Sequence, residues 1–146
     1  MNKKSAFQLE DFMPYLLNQA AEMTSLEFQK NYRVKYGMLR TEWRVLFHLG
    51  RYGPLTAKSI CDRANIHKTK VSRAVAALES RRYIKRERME HDRRHEVLSL
   101  TKAGSVVFDD LSREAEQYNA KLMQPFSQED TETVRRILMQ LAKSVS

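Results

Sequence analysis

A mainly α fold with one small β element, α+β in class, is predicted by three observations. Apolar residues recur at helical spacing through most of the chain, the segment after Arg82 switches to short β-favourable runs, and basic charge is concentrated between Thr56 and Thr101. Residues 56–102 carry 13 Lys or Arg against 6 Asp or Glu, a net +7, in a chain whose total is +8. A basic excess confined to one module is the electrostatic footprint of a surface that meets phosphates.

From Leu9, the apolar positions Phe12, Leu16, Ala20 and Met23 predict one long helix running into the Tyr32 to Tyr36 region. Thr41 is read as the cap of a second helix carrying Trp43, Leu46, Phe47 and Gly50, which Gly53-Pro54 breaks. Thr56 can cap a short helix with Ala57, Ile60, Cys61 and Ala64 inward, and the next helix turns Val71, Ala74, Val75 and Leu78 inward. Tyr83-Ile84 and Val97 to Leu100 read as strands separated by the charged run Lys85 to Glu96, a hairpin with a long solvated tip. Thr101 caps a helix with Val107, Leu111, Tyr118 and Leu122, ended near Pro125; Ser127 with Asp130 resembles a capping box for a last helix.

Two short helices, a tight turn and a basic hairpin make a winged helix-turn-helix. Its helices cross closely, so one inner position must be small and the turn needs a residue that tolerates the left-handed region; Cys61 and Asn65 stand at those places. That leaves His67, Lys68, Thr69, Lys70, Ser72 and Arg73 on the outer N-terminal part of the second helix. These are donors and cations suited to base edges and phosphates in a major groove. Thr56 and Lys58, at the start of the first helix, are candidate phosphate contacts. In the wing, Arg88, Arg93 and Arg94 occupy a tip that has no core to build, so their use is outward, toward a minor groove. Asp92 can orient a neighbouring arginine by a charge-assisted bond.

Other classes are excluded or lowered. No apolar run approaches a bilayer span, and the opening MNKKSAFQLEDF lacks the apolar stretch of a secretory signal, so a cytoplasmic protein without membrane association is expected. The single cysteine and the scattered His48, His67, His91 and His95 imply neither a disulfide nor a metal site, and no cofactor is expected. No nucleophile elbow, metal triad or phosphate loop points to an enzyme.

The wing sequence Asp92-Arg93-Arg94, five residues, Leu100-Thr101, two residues, Gly104 resembles the signature of the MarR family of bacterial transcriptional regulators. The stretch EWRVLFHLGRYGPLT resembles the family too, and the likeness runs over roughly residues 10 to 145. The resemblance implies that residues 67–73 form the major-groove helix, that Arg94 is the wing-tip arginine and that Asp92 holds it. His91 and His95, beside the tip, depart from that pattern; they read as ordinary exposed histidines, with pH-sensitive binding as the alternative.

Three helices beyond the module must bury apolar stripes. Residues 1–40 are read as an N-terminal dimerisation helix, 41–102 as the DNA-binding module and 103–146 as C-terminal dimerisation helices, all in one compact unit. A two-fold homodimer then requires a pseudo-palindromic site on double-stranded DNA. The function expected is a sequence-specific transcriptional regulator, a homodimeric repressor released by a small aromatic ligand. Phe12, Tyr15, Trp43, Arg44, Phe47 and His48 are the candidate effector pocket, although Trp43 and Phe47 are more simply core residues. Cys61, a small thiol with no resolving partner, reads as a packing residue rather than a redox switch. The alternatives are a winged-helix adaptor for another protein and a non-specific nucleic-acid binder.

Overall fold

The computed structural model describes residues 6–89 and 92–145, and of residues 92–95 the backbone alone. Helix α1 spans Met13–Tyr36 and α2 Arg40–Tyr52. Strand β1, Leu55–Thr56, leads into α3, Ala57–Ala64, and α4, Lys68–Ser80. The hairpin β2 (Ile84–Met89) and β3 (Asp92–Leu100) follows, then α5 (Lys102–Met123) and α6 (Gln128–Ser144). The chain forms two compact units, Met1–Leu111 and Ser112–Ser146, and α5 is continuous across their boundary.

The local chemistry explains most element ends. Thr56 Oγ1 accepts from the Ser59 N–H at 3.1 Å to start α3, and Ser127 Oγ accepts from the Asp130 N–H at 3.0 Å to start α6. Asn65 takes the left-handed conformation at φ 54°, letting the chain turn from α3 into α4. Three sequence expectations are corrected. The N-terminal helix is not continuous from Leu9: a 3-10 turn at Leu9–Asp11 precedes it, and the helix restarts only after Phe12. Pro14 stands in the first turn of α1, where its fixed φ suits a helix start and its missing N–H removes no intrahelical bond. Thr41 lies inside α2 rather than capping it; Leu39 is the cap residue, and the buried Glu42 carboxylate reaches back to accept its N–H at 3.3 Å.

The third correction concerns the hairpin. Much of the charged run read as a solvated tip is strand, and β1 completes a three-stranded antiparallel sheet in the order β1-β3-β2. Leu55 pairs with Leu98 and Thr56 with Val97, while Ile84 pairs with Leu100 and Arg86 with Leu98. Strand β2 beyond Ile84 is exposed, so charge satisfies it as well as apolar alternation would.

The core of the first unit lies where α2, α3, α4 and the sheet base meet. Val45, Leu46, Leu49, Ile60, Val71, Ala74, Val75, Leu78, Ile84 and Leu98 are buried there, each large apolar side chain contributing about 1.5–3 kcal/mol. Two glycines permit close approach. A Cβ on Gly50 would stand 2.2 Å from the Phe108 ring, and one on Gly104 would stand 2.0 Å from the Tyr83 carbonyl oxygen. Thr101 finishes the joint: its N–H donates to Tyr83 O at 3.0 Å, its hydroxyl donates to Arg82 O at 2.6 Å and accepts from the Gly104 N–H at 3.0 Å. The Leu-Thr-x-x-Gly sequence is therefore the weld between wing base and α5.

Candidate nucleic-acid interface

Helix α4 buries Val71, Ala74, Val75 and Leu78 on one face, which places Lys68, Thr69, Lys70, Ser72 and Arg73 together on its exposed face. His67 is the cap residue, its Nδ1 accepting from the Thr69 N–H at 3.2 Å. With Nδ1 so engaged, the ring's other nitrogen is the one free to carry a proton outward. The six residues expected to read bases thus share one exposed surface around the start of α4. Its shape follows directly from the period of the buried residues.

Thr56 and Lys58 stand at the start of α3, where amide groups and the helix dipole favour anions. The Thr56 hydroxyl is already used as the cap, while Lys58 is well exposed and pairs loosely with Asp62 at 3.6 Å. Such a solvated pair contributes little to stability and leaves the ammonium available to a phosphate. A cleft of about 250 Å³ lies between this point, α4 and the sheet, lined by Thr56, Lys58, Ser72, Val75, Arg86 and Glu96 among others.

Arg86 organises the wing. Its Nε donates to Glu79 Oε1 of α4 at 3.0 Å and its Nη1 to Glu96 Oε2 of β3 at 3.2 Å. One guanidinium therefore ties the end of α4 to both strands, and these carboxylates, Glu96 foremost, hold its pKa above the ordinary arginine value. Arg88 is exposed on β2 opposite Glu96. The backbone of Asp92 pairs with Met89, with an irregularity after Arg88; the side chains of Asp92, Arg93, Arg94 and His95, and His91 altogether, lie outside the described residues. Sequence reasoning missed Arg86. Its role becomes visible only with the strand register, which sets Arg86 and Glu96 diagonally across one face.

Arg44, expected in an effector pocket, has a different placement. Its Nη2 donates to Ala64 O, the end of α3, and burial lowers its pKa. His48 Nδ1 lies 2.7 Å from the Arg44 carbonyl oxygen. Trp43 stacks on buried Tyr32 at 5.7 Å and packs against Phe28 and Phe47, which continues the cluster to Phe108. Phe12 is exposed and packs edge-on against Phe7; Tyr15 is half-buried. Cys61 is half-buried and lines a cleft of about 330 Å³ with Ala57, Lys58, Lys68 and Ser72. Among the described residues no cluster of three or more His, Cys, Asp or Glu is placed to hold a metal, and no helix is long and apolar enough to cross a membrane.

Residues 36–95 match the model of the MarR family. An uncharacterised HTH-type transcriptional regulator of Bacillus subtilis, YwoH, is 26% identical over 116 residues, covering 80% of this chain and 83% of its own. The crystal structure of a MarR/EmrR family transcriptional regulator from Acinetobacter sp. ADP1 superposes with a TM-score of 0.86 at 24% identity, covering 95% of this chain and 98% of the other. Bordetella bronchiseptica BpsR, whose DNA binding is regulated by 6-hydroxynicotinic acid, superposes with a TM-score of 0.84 at 16% identity over 94% and 98% of the two chains. The exposed basic face of α4, the Arg86-braced wing and the Leu100-Thr101-Gly104 weld thus stand in a chain whose residues 36–95 match the MarR family and whose fold is that of a MarR/EmrR family transcriptional regulator.

Proposed function

We propose that this regulator is a homodimeric repressor that reads a pseudo-palindromic operator, with one α4 per half-site in the major groove and one wing in the adjoining minor groove. The observation that carries the reading is the common exposed face of Lys68, Thr69, Lys70, Ser72 and Arg73 beside a wing braced to the same helix. Lys70 and Arg73 can pair with guanine O6 and N7, and Thr69 can meet a thymine methyl. Arg88, Arg93 and Arg94 would supply the wing's minor-groove cations and Asp92 would orient one of them, with Lys58 and the α3 amides on phosphate.

What supports a dimer is exposed apolar surface on two helices, each considered by itself. Around α1, Leu9, Phe12, Met13, Leu16, Met23 and Leu26 are exposed; on α6, Val134, Ile137, Leu138, Met139 and Leu141 are exposed. Exposure of so many large side chains marks an association surface. Sedimentation at micromolar concentration tests this: a dimer is expected, and a persistent monomer would refute it. Binding to duplex DNA should weaken steeply with salt as phosphate contacts displace counterions. Affinity indifferent to salt would favour the protein adaptor, and salt-sensitive binding indifferent to sequence would favour a non-specific binder.

We also propose release by a small aromatic acid lodged beside the Trp43 cluster, with Phe12, Tyr15, Phe47 and His48 as its surroundings. The regulation of BpsR by 6-hydroxynicotinic acid makes hydroxylated aromatic acids the first compounds to test. Such a ligand acts only by binding the DNA-incompatible arrangement more tightly. Titration of these acids against a preformed DNA complex should lower its affinity, and failure of all of them would count against the proposal. The work of such a repressor would be done in the cytoplasm, on the chromosome.

A further inference from the structure

The joint between the recognition helix and α1 is made by an arginine that the reading of bases does not use. Arg81 is the C-cap residue of α4. Its Nη1 donates to Tyr36 O, the last residue of α1, and its Nη2 donates to Gly37 O at 2.8 Å. These carbonyls lie at and just past the end of α1, where the helix leaves acceptors without intrahelical partners and concentrates partial negative charge. A planar guanidinium with paired donors matches two such oxygens at once, as an ammonium does not. The turn is built for it: Gly37 is left-handed at φ 65°, and a Cβ there would stand 3.1 Å from Arg81 Nη1.

The same end of α1 is anchored on its other side. The Tyr36 hydroxyl donates to Asp110 Oδ2 of α5, and Lys35 Nζ pairs with that oxygen at 2.7 Å. Contacts to α4 and α5 thus converge on Lys35, Tyr36 and Gly37 at the end of α1. Helix α4 carries the base-reading surface, while the chain leading into α1 and its first turns carry the exposed Leu9, Phe12, Met13 and Leu16. Two hydrogen bonds join the end of α1 to the end of α4.

We infer that Arg81 is a positioning residue for operator recognition: by locking the C-terminus of the recognition helix to the C-terminus of α1, it fixes the distance between the two reading heads and so the half-site spacing the regulator accepts. The inference rests on the dimer proposed above. A bidentate lock resists rotation about the joint, whereas a single bond leaves a pivot. Arg81 is exposed, so its loss should leave the core packed as before.

The test compares the full-length chain with Arg81→Ala and Arg81→Lys on duplexes carrying one half-site, the selected palindrome, or that palindrome with its half-sites moved one or two base pairs closer or farther. The unaltered protein should disfavour the shifted sites by about tenfold or more, because the heads no longer fall on the same helical face. In Arg81→Ala this penalty should shrink to about twofold, with single half-site affinity and thermal midpoint nearly unchanged, and Arg81→Lys should fall between. A spacing penalty that persists undiminished in both variants overturns the role of Arg81. Equal loss on all duplexes, half-site included, overturns it too, since that marks general damage to the head. An unaltered protein with no spacing preference and the mass of a monomer overturns the dimer reading, and this inference with it.

Discussion

The Cα of Gly104 faces the carbonyl oxygen of Tyr83 so closely that a Cβ there would stand 2.0 Å from it. Backbone meets backbone at this point, and neither side can yield by rotating a side chain. Gly104→Ala should therefore cost at least the 1–3 kcal/mol typical of overpacking, roughly, and is measured as a lowered thermal or urea midpoint. An alanine variant as stable as the parent would show that α5 and the wing base are not welded as described.

Arg82, one residue before Tyr83, sits at φ 65° with a full side chain. The left-handed region costs a non-glycine residue about 1–2 kcal/mol, partly offset by the greater unfolded-state freedom of glycine. Arg82→Gly is expected to raise stability by a few tenths to about 1 kcal/mol, read from denaturant midpoints at constant m-value. A loss of stability would mean that the side chain makes contacts outweighing the backbone strain.

Arg44 separates a structural from a ligand-binding role. Its bond to Ala64 O closes the end of α3, so Arg44→Ala leaves a carbonyl without that donor and should cost about 1–3 kcal/mol even with no effector present. Were Arg44 instead reserved for a ligand carboxylate, stability would be unchanged and only the response to aromatic acids would fall. Thermal unfolding with and without the acid distinguishes the two.

Arg86 makes a different kind of contribution. Its pairs with Glu79 and Glu96 are partly exposed, so Arg86→Gln should change stability by no more than about 1 kcal/mol. It would nevertheless free the wing from α4 and leave two carboxylates near the phosphates. Specific DNA affinity should fall by roughly tenfold, about 1.4 kcal/mol. Binding at parental strength would show that the Arg86 brace does not position the wing on DNA.

Arg94→Ala is expected to weaken operator binding without unfolding the protein, whereas Arg73→Ala should alter base preference within the half-site, by about 1–3 kcal/mol for a lost bidentate contact. Affinity and preference measured by competition on variant duplexes separate the two. No change in either variant would sink both assignments.

The parts of this molecule legible in sequence are those fixed by local chemistry. Thr56 and Ser127 announce helix starts because a hydroxyl beside free amides acts within three residues, and Asn65 announces the turn because it tolerates left-handed geometry. The exposed face of α4 follows from the period of Val71, Ala74, Val75 and Leu78. What escaped depends on partners far along the chain. The hairpin's length was hidden because Lys85, Arg86, Glu87 and Arg88 show no apolar alternation, the braces at Arg86 and Arg44 need known register and helix crossing, and Arg82 is a residue type that gives no hint of positive φ.

Two basic heads of this protein are proposed to read one specific inverted repeat. Selection of bound sequences from a random duplex library, performed at near-physiological salt, tests it most directly. An inverted repeat should be enriched, its half-sites about one helical turn apart or a multiple of it, with A·T preference where the wings enter the minor groove. A bound pool with the base composition of the starting library would contradict it.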